Sequence, residues 1–271
     1  MDNPVLRLKP FLKWPGGKRA HVDMIVSAIS TLPGFKTYYE PFAGGACLFF
    51  RLSPPRAVLS DVNSDLVLTY RQVQKNVQNV IRHLRVMKNS KFHYYIIRAS
   101  HPLSPAHQAA RFIYLSRMCW NGLYRVNVRG EFNVPYAGYR GRTILDIKQL
   151  RAASQALAYV RVRRADFEDA LADSGAKDLI YLDPPYVSPH ANNGFIKYNS
   201  RLFSWLDQER LARVFKRLSR RGAYVILTNL DHPKIRNLYR GFKLRILTRT
   251  SVIAADPNSR RPVRELLISN F

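Results

Sequence analysis

Short apolar segments alternate with amphipathic ones along most of the 271-residue chain. The short segments, several bounded by Gly, Pro or Asp, favour β-strands. Apolar residues at helical spacing predict helices over 63–84 and 206–218, and a short helix that begins at Ala46. The predicted strands are 37–40, 56–60, 159–162, 178–182, 223–228, 243–247 and 263–268. Strands that alternate with helices predict an α/β fold with a mostly parallel sheet and helices on both faces.

The middle of the chain, 75–147, interrupts this alternation. It is rich in aromatic residues, Arg and Asn, and the stretch 127–134 has Gly130 at a turn between arms that contain Val and Phe. That pattern favours a β-hairpin. The sequence therefore predicts an inserted module at 75–147 within a discontinuous domain formed by 1–74 and 148–271.

The charge of the chain points to a polyanionic partner. Lys and Arg number 44 against 18 Asp and Glu, which gives a formal net charge of +26. This excess is far beyond what solubility requires, and it indicates nucleic acid. Charge alone does not distinguish DNA from RNA, or specific from non-specific binding.

Other features of the composition predict a soluble, intracellular, cytoplasmic protein. The hydrophobic fraction of 46% is enough for a core, and no apolar run approaches the length of a membrane span. The start of the chain lacks the basic and then apolar pattern of a signal peptide. The two cysteines are too few for a disulfide framework or a four-cysteine metal site, so we expect no metal.

The tetrapeptide Asp183-Pro184-Pro185-Tyr186 follows an apolar segment, 179–182, that is typical of a buried strand. Each proline fixes its own φ and biases the preceding residue towards an extended conformation, so the carbonyls of Asp183 and Pro184 are held in one direction. A carboxylate, aligned carbonyls and a flat ring suit an aromatic amine, because they offer acceptors for its N–H groups and a face for stacking. The alternative is a turn with an incidental Asp.

Two further motifs stand where predicted strands end. Glu40-Pro41-Phe42-Ala43-Gly44-Gly45 follows the first strand, and its glycines let the backbone approach a ligand. Asp61 ends the second strand. A glycine turn followed by an acid that accepts hydrogen bonds from ribose hydroxyls is the general arrangement for nucleoside-type cofactors. Alternatively, Asp61 caps the next helix, a role that Asn63 also suits.

A fourth motif, Phe11-Leu12-Lys13-Trp14-Pro15-Gly16-Gly17-Lys18, lies near the start of the chain. An aromatic ring, two glycines and a lysine ahead of an amphipathic stretch suit closure over a cofactor carboxylate or an edge of adenine. An ordinary loop is the alternative.

In this order, the four motifs resemble those of the Dam-like DNA adenine-N6 methyltransferases, the α group of S-adenosylmethionine-dependent amino-methyltransferases. The resemblance covers nearly the whole chain and includes 261–270, which is similar to the closing strand of the family. It implies a Rossmann-like methyltransferase sheet and a mainly helical inserted target-recognition domain with a β-hairpin. It also implies a bacterial or phage-encoded, nucleoid-associated enzyme that transfers methyl from S-adenosylmethionine to a flipped-out adenine in double-stranded DNA, within GATC, without an obligate protein partner.

The resemblance assigns DNA contacts to the hairpin and its surroundings. Arg125 would pair with a guanine, since the bidentate Arg–guanine contact is the commonest specific one. Leu123 and Pro135 would make apolar contacts in the groove. Trp120, where the family more often has Tyr, would stack near the vacated base position, with Asn121 beside it. The full DNA-binding set is Lys13, Trp120, Asn121, Leu123, Arg125, Asn133, Pro135 and Tyr139. The alternative is a β-arm with solvated charges.

The resemblance also assigns catalytic and cofactor roles. Asp183 and the Pro184 carbonyl would accept the two N6–H bonds of adenine, and Tyr186 would stack on the flipped base, with Phe195 or Tyr198 as its other wall. Residues expected to bind S-adenosylmethionine are Trp14, Lys18, Glu40, Pro41, Phe42, Gly44, Asp61, Asp166, Phe167 and Asp183. An acidic helix cap is the alternative for Asp166.

Other reaction classes fit the sequence less well. Cytosine-C5 methylation needs a cysteine nucleophile, usually after proline, and Cys47 and Cys119 follow Ala46 and Met118. The Pro-Cys-x-x-Cys segment of zinc deaminases is absent. Cytosine-N4 methylation stays open, as does a non-catalytic DNA-binding protein on the same fold. The likeness of the insert to a reader of duplex DNA disfavours RNA adenine methylation.

Overall fold

The computed structural model describes residues 8–18, 21–138, 141, 143–144, 146–186, 203–250 and 262–271. The strands in these ranges are β1 (Tyr38–Glu40), β2 (Ala57–Asp61), β3 (Arg161–Arg164), β4 (Leu179–Leu182), β5 (Tyr224–Leu230), β6 (Lys243–Thr250) and β7 (Pro262–Ser269). They form a seven-stranded sheet in the order β3-β2-β1-β4-β5-β7-β6. Together with the helices, this sheet confirms the predicted α/β, Rossmann-like fold.

The helices follow the amphipathic segments. Their bounds are α1 (Val22–Ile29), α2 (Cys47–Leu52), α3 (Ser64–Arg85), α4 (Lys91–Ala99), α5 (Pro105–Met118), α6 (Ile147–Leu157), α7 (Phe167–Ala170), α8 (Trp205–Arg220) and α9 (Pro233–Leu238). Two N-termini show why they begin where they do. Asn63 accepts a hydrogen bond from Leu66 N at the start of α3, and Ser204 forms a capping box with Asp207 at the start of α8. None of the described helices is both long enough and apolar enough to cross a membrane.

The centre of the sheet has an apolar face and a polar face. Strands β1, β4 and β5 are parallel, and the register pairs Leu182 with Leu227. The apolar face contributes Tyr39, Ile180, Leu182, Val225, Leu227, Leu266 and Ile268 to a buried core that also contains residues of α8. Because alternate residues of a strand point to opposite sides, Tyr181, Asp183 and Thr228 lie on the other face.

The chain divides into two compact units. The second unit, Ala20–Phe42, Arg56–Val58 and Ala165–Phe271, contains this central part of the sheet and its core. In this unit, β7 pairs antiparallel with both β5 and β6. Strand β7 therefore runs opposite to both of its neighbours, which a mostly parallel sheet allows.

The first unit comprises Met1–Arg19, Ala43–Pro55 and Leu59–Arg164. Its helix α3 packs along α5 and against α6. Strand β3 belongs to this unit and begins two residues after the predicted start at Tyr159. Tyr159 and Val160 instead form the turn that leaves α6, where Gln74 donates to the carbonyls of Leu157 and Val160 at 2.6 and 2.8 Å. The predicted limits of the insert, 75 and 147, both fall inside this unit and stay a prediction.

Candidate active site and DNA-reading segments

Asp183 follows β4 and is held by a chain of hydroxyl groups. Its Oδ1 accepts a hydrogen bond of 2.7 Å from the hydroxyl of Thr228 on β5. The hydroxyl of Tyr181 lies 3.1 Å from Thr228 Oγ1. Thr228 has a single hydroxyl proton, which it gives to Asp183, so Tyr181 is the donor in the second contact. Thr228 and Tyr181 are buried, and Asp183 is half-buried at the end of the strand.

The rest of the tetrapeptide lies beside this group. Pro184 is buried, and Pro185 and Tyr186 are half-buried. The hydroxyl of Tyr186 donates to Oε2 of Glu265, a fully buried residue of β7, at 3.0 Å. Burial raises the pKa of Tyr186 well above its ordinary value, and the nearby carboxylates of Asp183 and Glu265 add to the effect. Tyr186 is therefore a neutral donor, and its ring is fixed at both ends.

Glu40 carries a second carboxylate on the same side of the sheet as Tyr38. The Tyr38 hydroxyl donates to Glu40 Oε2 at 2.8 Å, and both side chains are buried. Burial raises the pKa of Tyr38 strongly, and the carboxylates of Glu40 and Asp183 and the hydroxyl of Tyr181 contribute. Tyr38, Glu40, Tyr181 and Asp183 thus form one polar cluster in the second unit.

Phe42 and Phe167, two residues predicted to bind the cofactor, are in contact, and Asp166 directly precedes Phe167. The rings of Phe42 and Phe167 stack at 5.4 Å between centroids. Asp166 accepts from Glu168 N at 3.0 Å and binds Arg210 at 2.6 Å. Asp166 therefore caps α7, the alternative that the sequence left open, and its place in cofactor binding stays a prediction.

In the first unit, the glycine turn fits closely around Trp14. A Cβ atom on Gly44 would lie 2.7 Å from Trp14 Cδ1, and one on Gly45 would lie 3.2 Å from Trp14 Cβ. Gly44 also has a φ of +45°, in the left-handed region. Glycine is thus required at position 44 for two separate reasons, the contact with Trp14 and the positive φ. In the opening motif, Lys18 is buried, and its Nζ donates to Gly16 O at 3.0 Å.

Asp61 is joined to the same turn. Its Oδ2 accepts from Gly44 N at 3.1 Å, and its Oδ1 accepts from Asn63 N at 3.0 Å. Burial raises the pKa of the Asp61 carboxyl, and these backbone donors partly oppose the rise. A carboxylate has about four lone-pair positions. The backbone donors of Asn63, Gly44 and Val62 leave about one position for a ribose hydroxyl, so the residues present fit a nucleoside-type cofactor.

The predicted hairpin is present, although its arms are short. Isolated antiparallel bridges join Cys119 to Tyr136 and Val126 to Phe132. Gly130 has a φ of +79° at the turn, where the Asn127 side chain accepts from the backbone N–H groups of Arg129 and Glu131 at 2.9 and 3.0 Å. On the far arm, Tyr94 of α4 donates to the Val134 carbonyl at 2.8 Å. The loop is therefore held at its base and at its tip.

Six of the eight predicted DNA contacts, Trp120, Asn121, Leu123, Arg125, Asn133 and Pro135, lie on this hairpin. Arg125 is exposed, and its Nε donates to Asn133 Oδ1 at 2.7 Å. Asn121 has a φ of +52° in the short 3₁₀ turn Trp120–Gly122, while Leu123 is half-buried and Pro135 is exposed. Residues Tyr139, Phe195 and Tyr198 lie outside the described ranges, so their predicted roles have no structural account.

Within the first unit, the opening motif packs against the hairpin. The sequence did not predict this contact. The ring of Tyr124 stacks on Trp14 with centroids 5.4 Å apart, and its hydroxyl donates to Asp65 at 3.3 Å. A Cβ atom on Gly122 would lie 2.5 Å from Lys13 Cγ. Lys13 and Trp14 therefore pack directly against the segment that is predicted to read the bases.

Sequence reasoning also missed Thr228, Tyr181 and Glu265. Each lies in an apolar stretch that predicts a strand. A polar group within such a stretch is the feature of the sequence that could have indicated a role in the site. Glu265 is buried in β7 and therefore needs a hydrogen-bond donor. The hydroxyl of Tyr186 in the tetrapeptide supplies one. Among the described residues, no group of three or more His, Cys, Asp or Glu side chains is placed to hold a metal ion.

Comparison with known proteins identifies the family. The profile described as D12 class N6 adenine-specific DNA methyltransferase matches residues 14–253. The chain is 34% identical over 279 residues to the type II methyltransferase M1.LlaDCHI of Lactococcus lactis subsp. cremoris, which covers 98% of this chain and 96% of the relative. It is 31% identical over 266 residues to the DNA adenine methylase of Serratia marcescens, covering 96% and 97%. The type II methyltransferase M.MjaIII of Methanocaldococcus jannaschii is 33% identical over 292 residues, covering 98% and 100%.

The chain belongs to the D12 class of N6 adenine-specific DNA methyltransferases. Membership confirms the resemblance drawn from the four motifs and makes the protein an enzyme of DNA adenine methylation. It also implies a DNA substrate and the use of S-adenosylmethionine.

Proposed function

We propose that this enzyme methylates N6 of a flipped-out adenine within GATC in double-stranded DNA, with S-adenosylmethionine as the donor. The observation that carries the proposal is the carboxylate of Asp183, fixed by Thr228 at the end of β4 within the Asp-Pro-Pro-Tyr tetrapeptide. A preorganised acceptor is most effective where positive charge develops, and here charge develops on N6 as it is alkylated.

Asp183 and Pro184 act on the nitrogen of the substrate. The lone pair of an exocyclic amine is delocalised into the ring, so N6 is a weak nucleophile. The Asp183 carboxylate and the Pro184 carbonyl accept hydrogen bonds from the two N–H groups of N6. These bonds raise the electron density on N6 and orient its lone pair. Bound S-adenosylmethionine would supply the methyl group: N6 would form the new N–C bond as the C–S bond broke with its electron pair passing to sulfur, and N6 would then release a proton to water.

Tyr186 holds the target base by stacking. An adenine inside a duplex is inaccessible to these acceptors and has to leave the stack. The bond from Tyr186 to Glu265 supports this role, because it fixes the ring before the base arrives. Trp120 stacks where the base has left, with Asn121 beside it.

Cofactor binding is assigned to residues of the opening motif and to residues that follow strands of the sheet. In the first unit, Trp14, Lys18, Gly44 and Asp61 serve this role, and the close fit of Trp14 on Gly44 supports it. In the second unit the residues are Glu40, Pro41, Phe42, Asp166, Phe167 and Asp183. Asp61 accepts from ribose hydroxyls, and Phe42, backed by the buried ring of Phe167, provides a flat surface for the adenine.

Sequence reading is assigned to the insert, 75–147. Arg125 pairs with guanine through its guanidinium group. The hydrogen bond from its Nε to Asn133 supports this role, because it orients the guanidinium plane. Leu123 and Pro135 contact the groove, and Lys13 and Tyr139 complete the set. The net charge of +26 supports binding to the phosphate backbone.

The test is methyl transfer from labelled S-adenosylmethionine to unmethylated duplex DNA, with base-resolved mapping of the product. We expect N6-methyladenine confined to GATC in the wild-type enzyme and no transfer by Asp183→Ala. Asp178→Asn is the matched control, because Asp178 is a buried carboxylate that accepts from Thr37 N and Gly175 N at 3.1 and 2.9 Å. This variant should lose stability and keep its turnover.

Each competing result has a distinct meaning. Activity in Asp183→Ala would overturn the mechanism, and N6-methyladenine at another short site would overturn GATC. Methylcytosine in the product would redirect the chemistry to N4, and transfer to RNA alone would mean that the insert reads another substrate. Failure to bind S-adenosylmethionine in a titration would favour a non-catalytic DNA-binding protein.

A further inference from the structure

Thr228 is placed to fix the orientation of Asp183. It stands one residue beyond Leu227, which pairs with Leu182, so its side chain is level with that of Asp183 on the neighbouring parallel strand. Its hydroxyl is 2.7 Å from Asp183 Oδ1. A β-branched side chain in a strand has a restricted χ1, so the hydroxyl direction is set by the backbone.

Tyr181 fixes Thr228 in turn. Its hydroxyl lies 3.1 Å from Thr228 Oγ1 and donates to it, since Thr228 donates onward. Both side chains are almost completely shielded from water, with exposed fractions of 0% for Thr228 and 2% for Tyr181. Buried hydroxyls keep their hydrogen bonds because water is not there to replace them. The two bonds therefore form a rigid line that ends on the Asp183 carboxylate.

This arrangement leaves the carboxylate in one position. A half-buried Asp at the end of a strand has a free χ1 rotation unless a neighbour fixes it. Charge-assisted hydrogen bonds from hydroxyls to carboxylates are short and directional. Asp183 can act as an acceptor for an amine only if its oxygens are aimed at the place that the amine occupies.

We propose that Thr228 is a positioning residue for Asp183 in methyl transfer, with Tyr181 as its support. This inference rests on the proposed function, in which Asp183 accepts a hydrogen bond from the amine. Thr228 touches neither substrate; it acts through the geometry of the carboxylate.

The test compares Thr228→Val, Thr228→Ser and Tyr181→Phe in the full-length enzyme with duplex DNA. Thr228→Val keeps the shape and removes the hydroxyl. We expect its kcat to fall by up to about a hundredfold, with little change in the KM for DNA, because misalignment of a reacting group affects turnover more than binding. Thr228→Ser should recover most of the loss, and Tyr181→Phe should lose less than Thr228→Val.

Thr69→Val is the matched control. Thr69 is also fully buried, and its hydroxyl donates to the Asp65 carbonyl within α3 at 2.7 Å. Its loss should lower thermal stability without lowering kcat. All rates are measured well below the melting temperature of each variant, so that a purely structural effect changes the melting curve and leaves kcat unchanged.

Two results would overturn the inference in different ways. Wild-type kcat in a folded Thr228→Val, alongside an inactive Asp183→Ala, would refute the positioning role and leave the proposed function intact. If Thr228→Val does not fold, Thr228→Ala replaces it, and wild-type kcat in a folded Thr228→Ala, which also lacks the hydroxyl, refutes the positioning role. An active Asp183→Ala would instead remove the proposed function itself.

Discussion

The hydroxyl of Tyr186 lies 3.0 Å from Oε2 of Glu265, so the last residue of the tetrapeptide is tied to a carboxylate buried in β7. Glu265 pairs in register with Leu230 of β5 and Leu247 of β6, because β7 lies between these two strands in the sheet. The ring proposed to stack on the base is thus anchored to a fully buried carboxylate of the second unit.

Removing the Tyr186 hydroxyl should distinguish the effect of its hydrogen bond to Glu265 from the effect of its aromatic ring. Tyr186→Phe leaves the buried Glu265 with one donor fewer, and we expect a loss of about 1–3 kcal/mol in the free energy of unfolding. Methyl transfer should fall less than in Tyr186→Ala, which also loses the ring. Denaturant titration and initial rates measure the two effects.

Tyr239→Phe is the control for that experiment. Tyr239 is also buried, and its hydroxyl has no hydrogen-bond partner among the residues that the structure describes. Its removal should leave stability unchanged or raise it. If Tyr186→Phe were as inactive as Tyr186→Ala, the hydroxyl rather than the ring would be the functional group.

Gly44→Ala should disrupt the packing of Trp14. The new Cβ would lie 2.7 Å from Trp14 Cδ1, and a left-handed φ of +45° costs about 1–2 kcal/mol for a residue with a side chain. We expect S-adenosylmethionine affinity to fall about tenfold or more, measured by calorimetry, together with a change in tryptophan fluorescence. Gly241→Ala, with a φ of +92° and open space around it, has the strain without the clash. Equal loss of affinity in both variants would show that Trp14 is not involved.

Arg125 should control sequence choice rather than general affinity. Arg125→Ala is expected to lose about 1–3 kcal/mol of discrimination between GATC and a site changed at one guanine. Asn133→Ala should show a smaller loss in the same direction, because it removes the acceptor that orients the guanidinium. Arg129→Ala changes the same charge at the exposed tip of the hairpin and should weaken binding to all sequences alike. Equilibrium binding at fixed salt measures these effects, and a uniform loss for Arg125→Ala would make it a phosphate contact.

Stability should fall in mild acid because of two stacked histidines. The rings of His83 on α3 and His107 on α5 are parallel, with centroids 4.4 Å apart. Burial lowers the pKa of His107 below its usual 6.5, and the charge of His83 lowers it further. The unfolded chain therefore binds more protons than the folded one as pH falls through 6.5, so stability decreases there.

The melting temperature as a function of pH tests this effect. Between pH 7.5 and pH 5.5 the wild-type protein should lose more stability than His107→Gln, in which the group is absent. Parallel curves for the two proteins would mean that the pair does not contribute to acid sensitivity.

Local patterns in the sequence were sufficient to predict the strands and three of the helices of the described residues, and to name candidate residues for the site. Strand and helix segments follow from periodicity, because an apolar face has to match the repeat of its element. The tetrapeptide after β4, the glycine turn after β1 and Asp61 at the end of β2 were all recognisable, since the ends of parallel strands are where such folds place ligands. The boundary of β3 was misplaced, because Tyr159 and Val160 suit a strand locally but form the turn after α6.

Only the tertiary structure decided which residues face one another. The apolar run 179–182 predicts a strand but does not indicate that Tyr181 turns its hydroxyl towards Thr228, a residue 47 positions away in the chain. Glu265 and Tyr186 are 79 positions apart, and the stacking of Tyr124 on Trp14 likewise joins distant segments. Register and topology set these pairs, and both depend on the packing of the whole chain. The sequence by itself therefore determined which groups are candidates for the chemistry, whereas folding determined which buried partners hold them in place.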